Sequence, residues 1–209
     1  MRISNELFSH LFFRLAEGPV RDECISLRAS IYSSELGHHG ADEFDAQSRH
    51  VVATTAEGEI VGACRMIGPE IRPLEIEGFV DLDSLLGPKS VPAQIGGLWI
   101  APTSRRVRTG QLLPLALMRC LLHLAQGLGV TDIVLRTHVD QVKPLYSRAG
   151  FREQPELAFK HPKWGAVYVM SMNLGTLEES ARRTRDPIRL FLVEGALENV
   201  AESITHPDR

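Results

Sequence analysis

Three arginines stand where an apolar strand gives way to a long apolar helix. The strand residues Leu98 and Ile100 come just before a proline, and the helix is predicted from Gln111 to Leu128. The turn between them holds Arg105, Arg106, Arg108, Thr109 and Gly110. Guanidinium groups and the unpaired N–H groups of a helix N-terminus both attract anions, so this order predicts a site for a phosphate or pyrophosphate. A solvated arginine-rich loop is the alternative interpretation.

A second group of titratable residues lies earlier in the chain, in a polar loop. Asp42 and Asp45 are close together there, and Arg28 and Arg65 flank the loop in the sequence. Carboxylates crowded in this way can orient a cationic amine, or accept its proton when their pKa is raised. The other interpretation is a solvated acidic loop that caps a turn.

Two further side chains carry acid–base chemistry near the ends of later elements. Tyr146 lies one helical turn before Gly150, the glycine that ends its helix. A phenol in that place can donate a proton to a leaving thiolate. His138 follows a predicted strand and can act as a base. The alternatives are a tyrosine that packs with its hydroxyl at the surface and a histidine that is simply hydrogen-bonded.

Composition limits what the whole chain can be. Its 209 residues are 44% hydrophobic and 23% charged, which is typical of a soluble α/β protein of one domain with appendages. A net charge of −3 gives no argument for nucleic-acid binding. The three cysteines lack metal-ligand spacing, which predicts free thiols in the cytoplasm and no metal site. No apolar run reaches the roughly 18 residues of a membrane span, and secretion is not expected.

The elements that must position these residues follow from hydrophobic periodicity, which predicts the order β-α-β-β-loop-β-α-β-α-β. The predicted strands are 11–16, 50–55, 59–66, a central strand that includes 98–100, 132–138 and 165–173, and the predicted helices are 20–35, 111–128 and 142–149. Residues 68–93 form a loop whose length is typical of functional or mobile segments. The fold class is therefore mixed α/β.

Helical spacing also assigns faces to the central helix and to the tail. Arg119 and His123 share one stripe of the central helix, which predicts a solvated face. The tail over residues 187–204 is amphipathic along its whole length and is predicted to be one helix.

The strand, the arginine-rich turn, its helix and the later Tyr146-x-x-x-Gly150-Phe151 together resemble the GNAT acyltransferases, over roughly residues 11–174. The resemblance implies a mixed, mostly antiparallel central sheet flanked by helices, with a C-terminal amphipathic helix. It implies a GNAT-like domain at residues 1–174 and a helical extension at 175–209 that packs on the domain or on a partner such as a second copy. In that family the turn holds the phosphates of coenzyme A or of a phosphopantetheine arm, and the tyrosine protonates the departing thiol. The donor-binding residues so implied are Leu98, Ile100, Arg105, Arg106, Arg108, Thr109 and Gly110.

The front half is similar to one branch of that family, the acyl-homoserine-lactone synthases and long-chain N-acyl amino acid synthases. The matching residues are Arg28-x-x-x-Tyr32, Asp42-x-x-Asp45 and Arg65. The branch implies an N-acyltransferase that moves an acyl group from acyl carrier protein or acyl-CoA to a primary amine of an amino acid or related small molecule. The thioester is then a co-substrate, and no cofactor is permanently bound. The acceptor-binding residues so implied are Arg28, Tyr32, Asp42 and Arg65, and the acyl tail is expected under the long loop near Phe79 and Leu82.

The chain departs from the branch pattern at the entrance to the central strand. Where the branch carries Glu-x-Ser/Thr-Arg, this chain has Gln94-Ile95-Gly96-Gly97. The amine proton would therefore go to a water held by Gln94, or to Glu35 or Asp45, while Tyr146 protonates the sulfur.

Arg108 is a second departure, because it occupies the first glycine position of the phosphate turn. Its side chain either crowds the pyrophosphate of coenzyme A or reaches the phosphate of a phosphopantetheine arm. Two rival functions follow from these departures. One is a short-chain, acetyl-CoA-dependent N-acetyltransferase, and the other is a GNAT-fold binding protein that has lost catalysis.

Overall fold

The computed structural model describes residues 3–138, 140–162, 164–195 and 197–207. Within them an eight-stranded sheet has the order β1-β2-β3-β4-β5-β8-β6, with β7 also paired to β8. The strands are β1 (Phe12–Leu15), β2 (Arg49–Thr54), β3 (Ile60–Ile67), β4 (Pro92–Ile100), β5 (Asp132–Thr137), β6 (Arg152–Glu153), β7 (Phe159–His161) and β8 (Gly165–Asn173). The helices are α1 (Gly18–Leu36), α2 (Arg108–Gly127), α3 (Lys143–Ala149), α4 (Leu174–Thr184), α5 (Pro187–Val193) and α6 (Glu202–Thr205).

The sheet is mixed, and its parallel pair is the contact between β4 and β5. The other recorded pairs are antiparallel, which confirms the predicted fold class. The register of β4 and β5 runs from Pro92↔Asp132 to Gln94↔Val134 in the described structure. Both strands continue well beyond that point, so their remaining backbone groups face a gap in the sheet.

Helices cover both faces of the sheet. Val52 and Ala63, which pair across β2 and β3, pack under α1 with Cys24. The neighbouring pair, Val51 and Cys64, faces the opposite side, in the core formed with α2. Since both faces are covered, every residue of β3 is buried.

The long loop between β3 and β4 packs against the sheet and forms a small hydrophobic core there. Leu74, Ile76 and Leu82 are buried against Ile67 and against residues of β5 and β8. A short 3-10 helix, Glu75–Gly78, lies in its middle. The acyl tail was expected near Leu82 and Phe79. Leu82 is instead packed in this core, and Phe79 is exposed and stacks on Phe159, so the structure does not support that expectation.

The prediction of one helix over residues 187–204 is wrong, because the tail forms two short helices, α5 and α6. Gly195 follows α5, and glycine weakens a helix by about 1 kcal/mol. Between the helices, Val200 lies beside Phe13 of β1 in an isolated parallel bridge. The Phe13 N–H donates to the Asn199 carbonyl at 2.8 Å, and the Ala201 N–H donates to the Phe13 carbonyl at 2.9 Å. These tertiary hydrogen bonds outweigh the helical periodicity.

The face of α2 that was predicted to be solvated is covered by this tail. Arg119 is fully buried, lies 4.6 Å from the ring centre of Phe191, and donates to Asn5 and to the Gly195 carbonyl. His123 Nε2 donates to the Glu194 carbonyl at 3.1 Å. Both residues therefore attach the tail to α2. Among the described residues, we find no helix whose length and hydropathy would suit a membrane span.

Candidate active site

A cavity of about 720 Å³ occupies the gap where β4 and β5 part. One wall is apolar and comes from the sheet and α2, with Ile95, Met118, Leu121 and Leu135. The other wall is charged and is formed by Arg28, Asp42, Arg65, Glu75 and Arg136. We call these the apolar wall and the charged wall. A cavity divided in this way can hold an apolar chain and a polar group side by side.

A β-bulge in β4 lies at the centre of the cavity. Ala63 pairs with Trp99 and Arg65 with Gly96, so Cys64 alone opposes Gly97 and Leu98. Gly97 has a φ of 58°, in the left-handed region that favours glycine.

The space beside Gly97 is filled by a side chain from α1. A Cβ atom on Gly97 would lie 2.5 Å from Nη1 of Arg28. The branch that the sequence resembles carries an arginine at the position of Gly97. In this chain that arginine is absent, and the side chain of Arg28 occupies the space beside Gly97. From the same helix, the Tyr32 hydroxyl donates to the Leu98 carbonyl at 2.9 Å, which fixes the bulge to α1.

Asp45 joins Arg28 and Arg65 inside the charged wall. Its carboxylate accepts from Arg28 at 2.5 Å, from Arg65 at 2.6 Å and from the Asp42 N–H at 2.9 Å. Burial alone would raise the pKa of Asp45, but the hydrogen bond and charge of Arg28 outweigh it and lower the pKa. A carboxylate held in this way is a poor base, which argues against the proton-accepting role expected for Asp45.

Arg65 connects that pair to two more carboxylates. Asp42 accepts from it at 2.6 and 2.7 Å, and Glu75 accepts from it at 3.0 Å. Burial would lower the pKa of Arg65, but its carboxylate partners outweigh this and raise it. Arg28, Asp42 and Arg65, predicted together from the sequence, therefore meet in one network.

Glu75 is a member of the charged wall that sequence reasoning missed. It comes from the long loop, and besides Arg65 it accepts from Gln94 at 2.9 Å and from Arg136. Gln94 also accepts the Ile76 N–H at 2.9 Å. The amide of Gln94 thus holds the loop and Glu75 in place, which argues against the expected role of holding a water. The signal in the sequence was Gln94, which stands where the resembling branch has a glutamate. A carboxylate for this part of the site therefore had to come from another segment of the chain.

Two tyrosines, Tyr32 and Tyr146, line the cavity. Burial raises the pKa of Tyr146 above its ordinary value, and the nearby Tyr32 adds to this. Burial likewise raises the pKa of Tyr32, although Arg28 and other arginines oppose the shift. Both phenols therefore keep their protons at neutral pH and can donate hydrogen bonds.

Glu35 and Arg105 lie at the rim of the cavity and pair with each other. Arg105 donates to both carboxylate oxygens of Glu35, at 2.9 and 2.8 Å, and to the Ile100 carbonyl at 2.8 Å. Both residues are partly exposed. The guanidinium of Arg105 is thus turned toward α1 and β4, and Glu35 is occupied by an ion pair.

The arginine-rich turn is more helical than predicted. A 3-10 helix covers Ser104–Arg106, and α2 begins at Arg108 instead of Gln111. Gly110 is required there because a Cβ atom would overlap the Ser104 carbonyl. In the described structure no side chain caps this N-terminus, so its N–H groups remain suited to an anion.

The predicted donor-binding residues divide into two groups. Leu98 and Arg105 line the cavity. Arg106, Arg108, Thr109 and Gly110 lie outside it at the start of α2, and Ile100 is buried opposite Gly62.

Comparison with solved structures assigns the architecture, although no family model and no curated protein matched the sequence. FeeM, an N-acyl amino acid synthase from uncultured soil microbes, aligns with a TM-score of 0.66 at 14% identity, over 79% of this chain and 92% of that chain. BjaI, a CoA-dependent acyl-homoserine lactone synthase solved with SAM and isopentyl-CoA, gives 0.60 at 17% identity, over 85% and 90%. An acetyltransferase of the GNAT family from Staphylococcus aureus Mu50 gives 0.52 at 16% identity, over 78% and 99%. The chain has the GNAT fold.

One part of the cavity wall in this GNAT fold is built from aromatic rings. Trp164 stacks on His161 at 3.9 Å between ring centres, and His138 lies at 5.5 Å and His38 at 5.2 Å from the same indole. All four residues line the cavity. Burial lowers the pKa of His138, and the charges of His38 and Arg136 add to this. The sequence interpretation singled out His138 alone, because the other rings come from separate parts of the chain: His38 follows α1, His161 ends β7, and Trp164 precedes β8.

No group of three or more His, Cys, Asp or Glu side chains in the described part of this GNAT fold is arranged to hold a metal ion. The three cysteines, Cys24, Cys64 and Cys120, are free and buried. Burial raises the pKa of Cys24 to about 11 and that of Cys120 to about 12, so these thiols are unreactive at neutral pH.

Proposed function

We propose that this protein is an N-acyltransferase that moves an acyl group from a thioester to the primary amine of an amino acid or a related small molecule. One observation carries the proposal. β4 parts from β5 after Gln94 and carries its bulge at Gly97 and Leu98. The gap opens into a cavity with an apolar wall on one side and a charged wall on the other. A thioester carbonyl at the bulge would have its acyl chain and the attacking amine on opposite sides.

The donor is proposed to bind along the gap between β4 and β5. Leu98, at the bulge, is the backbone position suited to polarise the thioester carbonyl. The phosphate of the donor would reach the start of α2, where the helix N-terminus is uncapped and Arg106 and Arg108 lie. The same chemistry serves coenzyme A and the phosphopantetheine arm of an acyl carrier protein.

The apolar wall supports an acyl group longer than acetyl. Met118 and Leu121 on α2 and Leu135 on β5 form the apolar wall together with Ile95. Burying each CH₂ group of a chain there contributes about 0.8 kcal/mol. An acetyl group would leave this apolar surface uncovered, which favours the longer donor over acetyl-CoA.

The charged wall supports an acceptor that carries both an amine and a carboxylate. Its carboxylates Asp42 and Glu75 suit an ammonium group, while Arg65 and Arg136 suit an anion. Arg28 and Tyr32 hold the wall against the bulge. FeeM, an N-acyl amino acid synthase with this fold, agrees with such an acceptor.

Chemically, the bound ammonium group first loses one proton to solvent. The neutral amine then attacks the thioester carbonyl and the thiol departs. Tyr146 lines the cavity and keeps its proton at neutral pH, so it can protonate the leaving sulfur. Because a free thiol has a pKa of about 8.5, the thiolate leaves readily, and the contribution of Tyr146 is expected to be modest. The same proposal includes acyl carrier protein as a partner that delivers the donor, a second copy of this chain as a dimer partner, and a location in the cytoplasm.

The test is turnover with a donor panel and a mixture of amino acids. Thiol release and mass spectrometry of the products are followed with acetyl-CoA, long-chain acyl-CoA and long-chain acyl carrier protein. We expect N-acyl amino acids from a long-chain donor, and Tyr146→Phe should slow turnover while Tyr168→Phe, outside the cavity, should not. Preference for acetyl-CoA would contradict the hypothesis that the donor carries a long acyl chain. Thioester binding without turnover by any pair would favour a binding protein.

A further inference from the structure

The acyl transfer proposed above needs a base for the amine proton, and the carboxylates near the cavity are occupied. Asp45 lies between two arginines, and Asp42 accepts two hydrogen bonds from Arg65. Glu35 pairs with Arg105, and Glu75 accepts from three donors. Each accepts charge-assisted hydrogen bonds that a proton would disrupt. The base must therefore be sought among the neutral groups of the cavity wall.

His38 supplies a nitrogen lone pair in that wall. Its ring lines the cavity, and its Nε2 atom is buried without a hydrogen-bond partner in the described structure. Nδ1 lies 3.3 Å from the carbonyl oxygen of His39, which can only accept. The neutral ring therefore carries its proton on Nδ1 and its lone pair on Nε2. A buried acceptor without a partner costs free energy, and a bound N–H donor removes that cost.

His38 is linked to the bulge through Tyr32. Its ring centre is 5.5 Å from that of Tyr32, in an edge-to-face contact. The Tyr32 hydroxyl in turn bonds to the Leu98 carbonyl. One side chain thus separates the imidazole from the place where the thioester carbonyl is proposed to lie.

The loop that carries His38 is fixed at both ends. Gly37 ends α1 with a φ of 69°, which turns the chain toward the cavity. The Gly40 carbonyl accepts from Arg28 Nε at 2.9 Å, and Gly40 packs so closely on Tyr32 that a Cβ atom there would lie 2.9 Å from its ring. The network that shapes the charged wall therefore also positions the imidazole.

We propose that His38 is the general base of this acyl transfer, an inference that rests on the function proposed above. The neutral amine attacks the carbonyl carbon, the C–N bond forms, and the proton of the nitrogen passes to Nε2. The C–S bond then breaks, and the thiolate takes the proton of Tyr146. The imidazolium gives its proton back to the Tyr146 oxygen through solvent, so the products are an amide and a free thiol.

The test compares His38→Ala, His38→Gln and the unsubstituted protein with the donor and amine pair that turns over fastest. We expect kcat to fall by about 10²-fold or more in both variants, because a positioned base contributes about 10²–10⁴-fold. KM for the thioester should stay within about threefold, since the donor is held elsewhere. Added imidazole should restore turnover to His38→Ala, where it can occupy the vacated space, and not to His38→Gln. His10→Ala removes an exposed histidine outside the cavity and serves as the control.

The outcomes separate the two proposals. Turnover of His38→Ala within about threefold of the unsubstituted protein contradicts the assignment of the base and leaves the acyltransferase intact. A folded His38→Ala variant that loses kcat without imidazole rescue also contradicts it. No turnover of the unsubstituted protein with any pair contradicts both proposals.

A measurement independent of turnover tests the same assignment. Long-range ¹H–¹⁵N correlation spectra distinguish the two imidazole tautomers, and the signals of His38 are those lost in His38→Gln. We expect the proton on Nδ1. A proton on Nε2 in the neutral ring would overturn the proposal, because that nitrogen would then have no lone pair to offer.

Discussion

Asp45 shows at the scale of one residue how the charged wall is held. Its carboxylate accepts from two buried arginines and a backbone N–H at once. Removing its charge leaves Arg28 and Arg65 buried with one fewer counter-ion, and breaking a buried pair costs about 3–5 kcal/mol.

We therefore expect Asp45→Asn to lower the free energy of unfolding by about 3–5 kcal/mol. The measurement is urea denaturation at neutral pH. Glu70→Gln is the matched control, because Glu70 pairs with Arg49 at an exposed site and should cost less than about 1 kcal/mol. Equal losses in the two variants would show that Asp45 is not the centre of the network.

The sequence predicted part of this network, since Arg28, Asp42, Asp45 and Arg65 share a loop or flank it. It could not predict Glu75, because that ion pair depends on how the long loop folds over β4. It also could not show that Asp45 would be locked between arginines. Residue type and spacing reveal which charges are present, and only the packing reveals which of them are neutralised.

At the scale of elements, the bulge in β4 connects the sheet to the chemistry. Gly97 takes a left-handed φ of 58°, and its missing side chain leaves room for Arg28. Gly96, its neighbour, has nothing within 4 Å of an added Cβ. Substitutions at Gly97 and Gly96 can therefore be compared as a crowded and an open position on one strand.

We expect Gly97→Ala to destabilise the protein by about 2–4 kcal/mol, through backbone strain and displacement of Arg28. Gly96→Ala should change stability by less than about 0.5 kcal/mol. Thermal and urea unfolding of both variants provide the comparison, and turnover of Gly97→Ala should fall with its stability. A tolerated Gly97→Ala would mean that the bulge and Arg28 are not coupled.

Elements with strong local patterns were predicted well and those fixed by tertiary contacts were not. The strand from Gly165 to Asn173 and the helix that becomes α1 agree with the sequence prediction. The tail does not, because Asn199 and Ala201 hydrogen-bond to the backbone of Phe13 instead of continuing a helix. Residues 175–209 were expected to be helical, but α4 was not predicted as a separate helix, although Leu174, Leu177 and Ala181 on it are buried at helical spacing.

At the scale of the whole molecule, the sheet buries a titratable group beneath the charged wall. His50 on β2 pairs with Arg65 on β3 and is 1% exposed. Its Nε2 donates to the Asp45 carbonyl at 3.1 Å. Burial, with the charges of Arg28 and Arg65, lowers the pKa of His50 from 6.5 to about 4, although the hydrogen bond to Asp45 opposes the shift. The sequence could not predict this, because it depends on a loop, two strands and a helix meeting at one point.

This shift links the stability of the whole fold to pH. The unfolded chain binds a proton at His50 below pH 6.5, while the folded chain binds it only near pH 4. Stability from this group is therefore complete above pH 6.5 and declines as the pH falls toward 4, by about 3 kcal/mol in all. We expect His50→Gln, which can still donate to the Asp45 carbonyl, to flatten the decline in unfolding free energy across that interval. Urea denaturation at half-unit steps from pH 7.5 to 4 measures it, with the exposed His10→Gln as control. Parallel curves for His50→Gln and the unsubstituted protein would show that the acid sensitivity arises elsewhere.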